Sequence, residues 1–344
     1  MYICKVKKSE VFQHNFTSFN SLIMYKYFTI LFLSLLFISC DKKTKVEKAV
    51  EEIPVEVKID RFDKAFFETK PEDLPNLKAE YPFFFPEGND DKVWIDKMQN
   101  KDWRDLYAEV QKKYPDFGKQ TNEIEDVFKH IKYYFPQTIM PKVYTVIGEM
   151  DYNNKAIYAN DKLIIALELY LGKEHKFYTF PVYLKQNFEE RQMMPDVVSS
   201  FALRSIPAPE DISLLSEMVY YGKELYLKDV LLPSYTDAEK IGYLPEQITW
   251  CQENESYIWR YFIDESLLYS SDSKLANRFI NLAPFSKFYL EIDNESPGRV
   301  GQWIGWQIVR SYMENNPKTT VPDLLKMDAK ELFEKSKYKP KKNE

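Results

Sequence analysis

A short apolar run that ends at a cysteine constrains this chain more than any other feature. The run, FTILFLSLLFIS at positions 28–39, follows a short polar start and stops at Cys40. It is too short to span a bilayer and has the length of the apolar region of a secretory signal peptide. Because Ser39 is small and precedes the cysteine directly, the pattern predicts a lipobox in which Cys40 is acylated. The alternative is an uncleaved helical anchor.

This interpretation divides the chain into four segments. Met24 is the expected start, so residues 1–23 would be a mis-assigned upstream segment and residues 24–39 a lipoprotein signal peptide. Residues 40–58 are charged and lack aromatic side chains, which predicts a flexible tether. No further linker or repeat follows, so we expect a single globular domain over 59–344. The acyl chains of a lipoprotein form a stable anchor, and we expect an exported protein held at a membrane, on its periplasmic side.

The cysteines and the charge limit how the domain is stabilised and what it binds. Cys4 precedes the expected start and Cys40 would be acylated, so Cys251 has no disulfide partner and is expected to be a buried thiol. The fold must therefore depend on its core, and a composition of 44% apolar and 16% aromatic residues can provide one. A net charge of −6 argues against nucleic acid as a partner.

Hydrophobic periodicity predicts an α+β fold that is mostly helical. Short β-rich segments separated by turn residues predict a small antiparallel sheet with strands at 141–148, 155–159 and 162–172. Before the sheet, helices are predicted over 94–114 and 120–135. After Pro195 the chain is almost entirely helical, with predicted helices over 196–205, 212–232, 238–270, 272–281 and 300–315.

One of these helices has the spacing of a zinc-peptidase helix without its ligands. Ser216 and Tyr220 stand at the i and i+4 positions that two zinc-binding histidines would occupy, and Glu217 has the position of a general base. Hydroxyl groups replace imidazole poorly as zinc ligands, and His130 and His175 are too far apart in the chain to compensate. The sequence therefore predicts a degenerate zincin-like region with no metal, no cofactor and no enzymatic activity.

A polar stripe on this helix is expected to line a binding cleft. We assign to the cleft Ser216, Glu217, Tyr220, Glu253, Arg299 and Trp303. The last two belong to SPGRVGQWIGWQIVRSYMEN at 296–315, where Gly301 and Gly305 are four residues apart on a predicted helix. Glycines at this spacing leave a groove into which another backbone can fit. The groove indicates either tight packing against the helix that carries Ser216 or a binding edge flanked by Trp303 and Arg299.

Several stretches together resemble the GldB family of gliding-motility lipoproteins. They are the lipobox cysteine, LELYLG, MMPDVVSSFALRSI, NESYIWRYFIDESLLYSSD, APFSKFYLEID, SPGRVGQWIGWQIVRSYMENN and SKYKP. More distantly, the helices that carry Ser216 and Gly301 are similar to those of predicted H-E-x-x-H zinc peptidases. Glu217 matches that pattern, whereas Ser216 and Tyr220 depart from it.

The resemblance implies a membrane-anchored, non-enzymatic component that surface gliding requires, in bacteria whose adhesins are exported by the type IX secretion system. Its partners would be the membrane, through the lipid, and envelope proteins of the gliding machinery. Two alternatives remain open. One is a zincin-like metallopeptidase. The other is a glycan-binding envelope lipoprotein that uses the aromatic stretch YPFFFPEG at 81–88, although this stretch is also typical of a buried cluster.

Overall fold

The computed structural model describes residues 43–159 and 161–341. The expected signal peptide and Cys40 lie outside the described residues. The chain divides after Glu52 into two units. The described part of the first unit contains helix α1 (Lys45–Glu51), which begins at a capping box formed by Thr44 and Glu47. A helix therefore occupies part of the segment for which the sequence predicts a flexible tether, and the T-x-x-E pattern is its signal.

From Ile53 onward the chain is mostly helical with one small sheet, which confirms the predicted α+β class. The helices are α2 (Phe62–Glu68), α3 (Leu74–Glu80), α4 (Asp91–Gln99), α5 (Lys101–Lys113), α6 (Gly118–Tyr134), α7 (Val182–Lys185), α8 (Met193–Ser205), α9 (Leu214–Leu231), α10 (Asp237–Ile241), α11 (Pro245–Asp264), α12 (Lys274–Phe279), α13 (Val300–Asn315), α14 (Val321–Lys326) and α15 (Ala329–Ser336). The strands are β1 (Ile59–Asp60), β2 (Lys142–Val146), β3 (Ala156–Ala159) and β4 (Lys162–Ala166). Short 3-10 helices cover Pro71–Asp73, Pro82–Phe84, Leu167–Leu169, Glu190–Gln192 and Glu291–Glu295. In the described part of the chain, no helix is both long and apolar enough to cross a membrane.

The sheet is mixed, so the prediction of a purely antiparallel sheet is wrong. Its strand order is β1-β2-β4-β3, and only β3 and β4 pair in antiparallel fashion. β2 runs parallel to both β1 and β4, with Val143 opposite Ile59 and Leu163. A short connection makes β3 and β4 antiparallel, whereas the longer stretch between β2 and β4 lets the chain cross over and return in the same direction. Alternating hydrophobicity identifies strands but not their neighbours or direction.

Two helices predicted as continuous are interrupted. The predicted helix over 94–114 is two helices, because Asn100 ends α4 and caps α5, its side chain accepting from the backbone N–H of Asp102 at 2.9 Å. The prediction over 238–270 is interrupted at Gly242, which has a φ of +71°, and α11 then begins at Pro245. A left-handed glycine after one helix and a proline at the start of the next are ordinary termination and initiation signals.

The core has two main apolar clusters. The first includes one face of the sheet, where Val143, Leu163 and Ile165 are almost completely buried, together with helices α2, α5, α6 and α8. The second surrounds α9, α11 and α13. α9 contributes side chains to both clusters, so its position fixes the residues on which the predicted cleft depends.

α9 and α13 pack at glycine positions. A Cβ atom built on Gly222 would lie 2.3 Å from the carbonyl oxygen of Gly305, and one built on Gly305 would lie 1.7 Å from that of Met218. Gly301 instead faces α12, where a Cβ would lie 2.9 Å from the carbonyl oxygen of Phe279. The glycine groove predicted from the sequence is therefore filled by backbone within the domain, as the packing alternative requires.

Candidate functional site

The predicted polar stripe on α9 is largely covered by other parts of the fold. Ser216 is 5% exposed and Lys223 is 6% exposed, while Glu217 and Tyr220 are half-buried. Ser213 caps the start of this helix. Its hydroxyl accepts from the backbone N–H of Ser216 and lies 3.0 Å from the hydroxyl of Ser216. The six assigned residues do not line one cleft. They are distributed between two cavities, the core and an exposed helix face.

The first cavity, here called the Lys223 cavity, has a volume of about 120 Å³. Ser216 and Tyr220 line it together with Lys223 and the segment from Leu325 to Ala329. The Lys223 ammonium donates to the carbonyl oxygens of Leu325, at 3.0 Å, and Met327. Burial lowers the pKa of Lys223 to about 8. Because its ammonium group donates to carbonyl oxygens at the end of α14, Lys223 is a buried cation with a structural role.

The residues at the histidine positions do not form a zinc site. Ser216 offers a hydroxyl that is engaged with Ser213, and Tyr220 packs edge-on against Tyr221 with ring centroids 5.3 Å apart. Within 43–159 and 161–341, no three His, Cys, Asp or Glu side chains are grouped closely enough to hold a metal ion. Zinc prefers nitrogen and thiolate ligands, and this donor set fits it poorly.

Glu217 retains the general-base position on α9. Burial raises the pKa of its carboxyl group. In the described part of the chain its side chain has no hydrogen-bond or ion-pair partner. One turn further along the same face of α9 come Tyr221, Glu224 and Lys228, which line the second cavity. Glu217 therefore lies on the side of α9 that faces the second cavity and not on the side that faces the Lys223 cavity.

The second cavity, here called the Arg299 cavity, has a volume of about 260 Å³ and lies where α8, α9, α10 and the start of α13 meet. Most of its charged side chains are paired. Asp196 binds Lys155 at 2.6 Å, Glu224 binds Lys228 at 3.1 Å, and Lys240 binds Asp229 at 3.0 Å. Ser199 also donates to Glu224 at 2.7 Å.

Arg299 is the exception in this cavity. Among the described residues, no carboxylate lies within ion-pair distance of its guanidinium group. One of its nitrogens donates to the carbonyl oxygen of Gly242 at 3.4 Å, and the group lies 5.2 Å from the ring centroid of Tyr243. Its backbone has a φ of +67° at the start of α13, where a hydroxyl group of Ser286 accepts from Val300. A guanidinium without a carboxylate partner can bind an acidic group of a ligand.

The remaining assigned residues lie elsewhere. Trp303 is 2% exposed in the second core cluster, so its ring is unavailable at a surface. Glu253 is exposed on α11 and lines neither cavity. Cys251 is completely buried, as predicted, and burial raises the pKa of its thiol.

The aromatic stretch at 81–88 is mostly part of the core. Tyr81 and Phe85 are buried, and the ring of Phe84 stacks on that of Phe62 with centroids 4.1 Å apart. Among the aromatic residues of the stretch, only Phe83 is substantially exposed, at 40%. This placement is that of the buried cluster which the sequence offered as the alternative to a glycan surface.

Sequence reasoning missed a partly buried ion network beside the Arg299 cavity. Arg310 makes paired hydrogen bonds to Asp229 and to Asp237, with distances of 2.7 and 2.8 Å to each. The indole of Trp306 also donates to Asp229 at 2.8 Å. The partners are more than 70 residues apart in sequence, so no local pattern could reveal them. The network connects α9, α10 and α13, three of the helices that line the cavity.

Comparison with known proteins identifies one family. The sequence model of gliding motility protein GldB matches residues 43–340, which is most of the chain and nearly all of its described part. No curated protein and no solved structure matches the chain. The matched residues include the sheet and the helices that build both cavities. The chain therefore belongs to the family of gliding motility protein GldB, as the resemblance of its motifs predicted.

Proposed function

We propose that this protein is a membrane-anchored binding component of the gliding apparatus that performs no catalysis itself. Family membership supports a role in gliding motility, and the lipoprotein character of the family supports a location in the cell envelope. We place the domain on the periplasmic side of its membrane, where it serves a machinery whose adhesins leave the cell by type IX secretion. Its immediate partner would be another protein of the envelope.

The observation that carries this proposal is the unpaired guanidinium group of Arg299. The carboxylates of its cavity are neutralised by lysines of the domain itself, while Arg299 has only a carbonyl oxygen and an aromatic ring as neighbours. Arginine recognises carboxylates through two parallel hydrogen bonds and remains charged at every physiological pH. The partner therefore presents an acidic side chain or a chain-terminal carboxylate to this cavity.

The fold holds this site rigidly. α9 and α13, which contribute Glu224 and Gln302 to the cavity, are in backbone contact at Gly222 and Gly305. Sites on closely packed helices are positioned more precisely than sites on loops. A preformed cavity of this kind suits recognition, because a partner loses less free energy in ordering the site when it binds.

Replacement of Arg299 by methionine tests the proposal. The variant removes the charge but keeps an unbranched side chain that can lie over Tyr243. We expect cells carrying Arg299→Met to lose surface spreading while the protein accumulates to the normal level and keeps its melting temperature within a few degrees. The measurement is colony spreading and single-cell gliding, with immunoblotting of membrane fractions.

Arg260→Met is the matched control, because Arg260 is an exposed arginine on α11 whose guanidinium lies 5.7 Å from the ring of Tyr257. It should leave gliding unchanged. Normal gliding of the Arg299→Met strain, at normal protein level, would show that the cavity is not the binding site.

The nature of the partner and the link to type IX secretion need a second experiment. A photo-crosslinking amino acid at Tyr221, which lines the cavity, should capture an envelope protein of the gliding or secretion machinery in wild-type cells. The captured product should disappear when Arg299→Met is added. Capture that is unaffected by Arg299→Met would separate the partner from the cavity and contradict the proposed mode of binding.

A further inference from the structure

The sheet has a second face that the helices cover incompletely. Ile157 on β3 and Ile164 on β4 are direct cross-strand partners, and Ile164 is also opposite Tyr144 on β2. The opposite face, with Leu163 and Ile165, is fully buried. On the second face Ile157 remains 38% exposed. An apolar strand face that is left partly open marks a place where an apolar group can bind.

A cavity of about 320 Å³ lies over this face, between the sheet and helices α2 and α4. Its walls are mainly aromatic and aliphatic, and they are formed by Phe62, Phe66, Phe67, Phe84, Trp94, Val146, Ile147, Ile157 and Ile164. Ligand cavities in proteins begin at roughly 300 Å³ and are lined in the same way, with a few polar groups that orient the ligand. We call this space the Phe66 cavity.

Asp63, the carboxylate that lines the cavity, is already satisfied. It is 1% exposed and accepts hydrogen bonds from Nε and Nη2 of Arg61, each at 2.8 Å, from Gln111 at 2.8 Å and from the hydroxyl of Thr145 at 2.5 Å. Arg61 neutralises its charge. Asp63 therefore has little capacity to bind a cationic ligand.

Lys97, the cation that lines the cavity, has no close carboxylate partner by contrast, and the buried Glu168 acts on it only beyond ion-pair distance. Its closest carboxylate oxygen is that of Glu149, 4.0 Å away on a side chain that is 83% exposed. Its ammonium group also lies 4.0 Å from the ring centroid of Trp103. The lysine side chain itself is only 18% exposed. A weak pair with an exposed carboxylate contributes little, so an anion in the cavity would be a better partner.

Trp94, one turn before Lys97 on α4, lines the same wall of the cavity. Its indole Nε1 is buried and has no hydrogen-bond partner among the described residues. Because this nitrogen has almost no accessible surface, a ligand in the cavity cannot reach it, and Trp94 contributes its ring to the apolar wall. The ammonium of Lys97 is a donor, which favours a ligand whose polar end is an acceptor.

We infer that the Phe66 cavity binds a small amphipathic acid, a molecule with an apolar chain and one carboxylate, whose chain lies against the phenylalanines and whose carboxylate pairs with Lys97. The volume accommodates about ten groups of water or methylene size, at roughly 30 Å³ each. Decanoate is therefore a suitable probe. This site is separate from the Arg299 cavity and does not depend on the function proposed for it.

Calorimetric titration of the full acylated chain in lipid nanodiscs tests the inference, with empty nanodiscs as the blank. Decanoate, decanol and decylamine share one chain length and differ in the charge of the head group. Decanoate should bind most tightly and decylamine most weakly. Lys97→Met should weaken decanoate binding about tenfold, the effect of losing one charged hydrogen bond, and leave decanol unchanged.

Two further variants complete the test. Lys92→Met removes an exposed lysine from the same helix, which pairs with Asp96, and should bind decanoate normally. Ile157→Trp fills the open side of the cavity and should abolish binding of decanoate and decanol alike, at an unchanged melting temperature. No binding of any probe by the wild type, equal binding of decanoate and decanol, or equal losses in the two lysine variants would overturn the inference.

Discussion

Glu168 is a fully buried carboxyl group whose protonation the fold alters. It is 0% exposed, its Oε2 has no hydrogen-bond partner among the described residues, and burial raises its pKa from 4.5 to about 7. Between these two pH values the folded state holds a proton that the unfolded state has released. The free energy of unfolding therefore decreases as the pH rises from about 4.5 through about 7, by an amount on the order of 3 kcal/mol.

The variant Glu168→Gln isolates this effect. We expect the free energy of unfolding of the variant to depend less on pH than that of the wild type. Between pH 5 and pH 7 the stability of the variant should therefore rise relative to that of the wild type. Urea denaturation at several pH values provides the measurement. Glu253→Gln is the control, since Glu253 is exposed. A stability difference between Glu168→Gln and the wild type that stayed constant with pH would contradict the buried ionisation.

Individual site residues could be predicted from the sequence only where a local sequence pattern marked them. Arg299 and the α9 residues stood out because a glycine-rich turn and a peptidase-like spacing mark them. Lys223 and Trp303 show the limit. Lys223 donates to the carbonyl oxygens of Leu325 and Met327, about 100 residues away, and no local sequence pattern indicates such a contact. The burial of a tryptophan depends on which helix packs against it, and spacing alone does not determine that.

At the scale of the helices, the contact between α9 and α13 depends on glycine. Because a Cβ at position 305 would lie 1.7 Å from a backbone oxygen, Gly305→Ala must push the two helices apart. We expect the variant to lose about 3 kcal/mol of stability, at the upper end of the cost of overpacking. Thermal and urea denaturation would measure the loss, which should be accompanied by distortion of the Arg299 cavity.

Gly118→Ala is the matched substitution. Gly118 begins α6, and a Cβ there would meet only an ordinary contact, 3.5 Å from an oxygen of Asp116. Alanine favours helix over glycine by up to about 1 kcal/mol, so this variant should be as stable as the wild type or slightly more so. Equal stability of Gly118→Ala and Gly305→Ala would mean that the helix contact is not tight.

Helices and strands were predicted correctly from the sequence where the local capping, turn and periodicity signals are strong. The helix predicted over 300–315 has the same bounds in the structure, because a proline-glycine turn precedes it and its apolar pattern is regular. The predictions failed where a single residue interrupts a periodic pattern, as Asn100 does through its capping side chain. The direction of β2 relative to β4 could not be predicted, since it depends on a crossover and not on either strand.

At the scale of the molecule, the two proposed binding cavities are separate from each other and from the predicted membrane anchor. The Arg299 cavity is polar and is held by helices α8, α9, α10 and α13, whereas the Phe66 cavity is apolar and lies on the sheet with α2 and α4. The two share no lining residue. Variants of one should therefore leave the other intact, and mutations more than about 10 Å apart without shared partners usually act additively. This separation lets the proposed binding of a protein partner and the proposed binding of a small acid be tested independently.

Attachment to the membrane is predicted to depend on Cys40 alone. Two or three acyl chains on its sulfur and amino group would give stable anchoring, while a single chain would not. We expect Cys40→Ala to abolish incorporation of labelled palmitate, to move the protein out of the washed membrane fraction and to stop gliding. Cys251→Ala, which alters a completely buried thiol, should keep both the label and the membrane association. Label that remained on the Cys40→Ala protein, or unchanged membrane retention, would show that something other than this cysteine holds the domain in place.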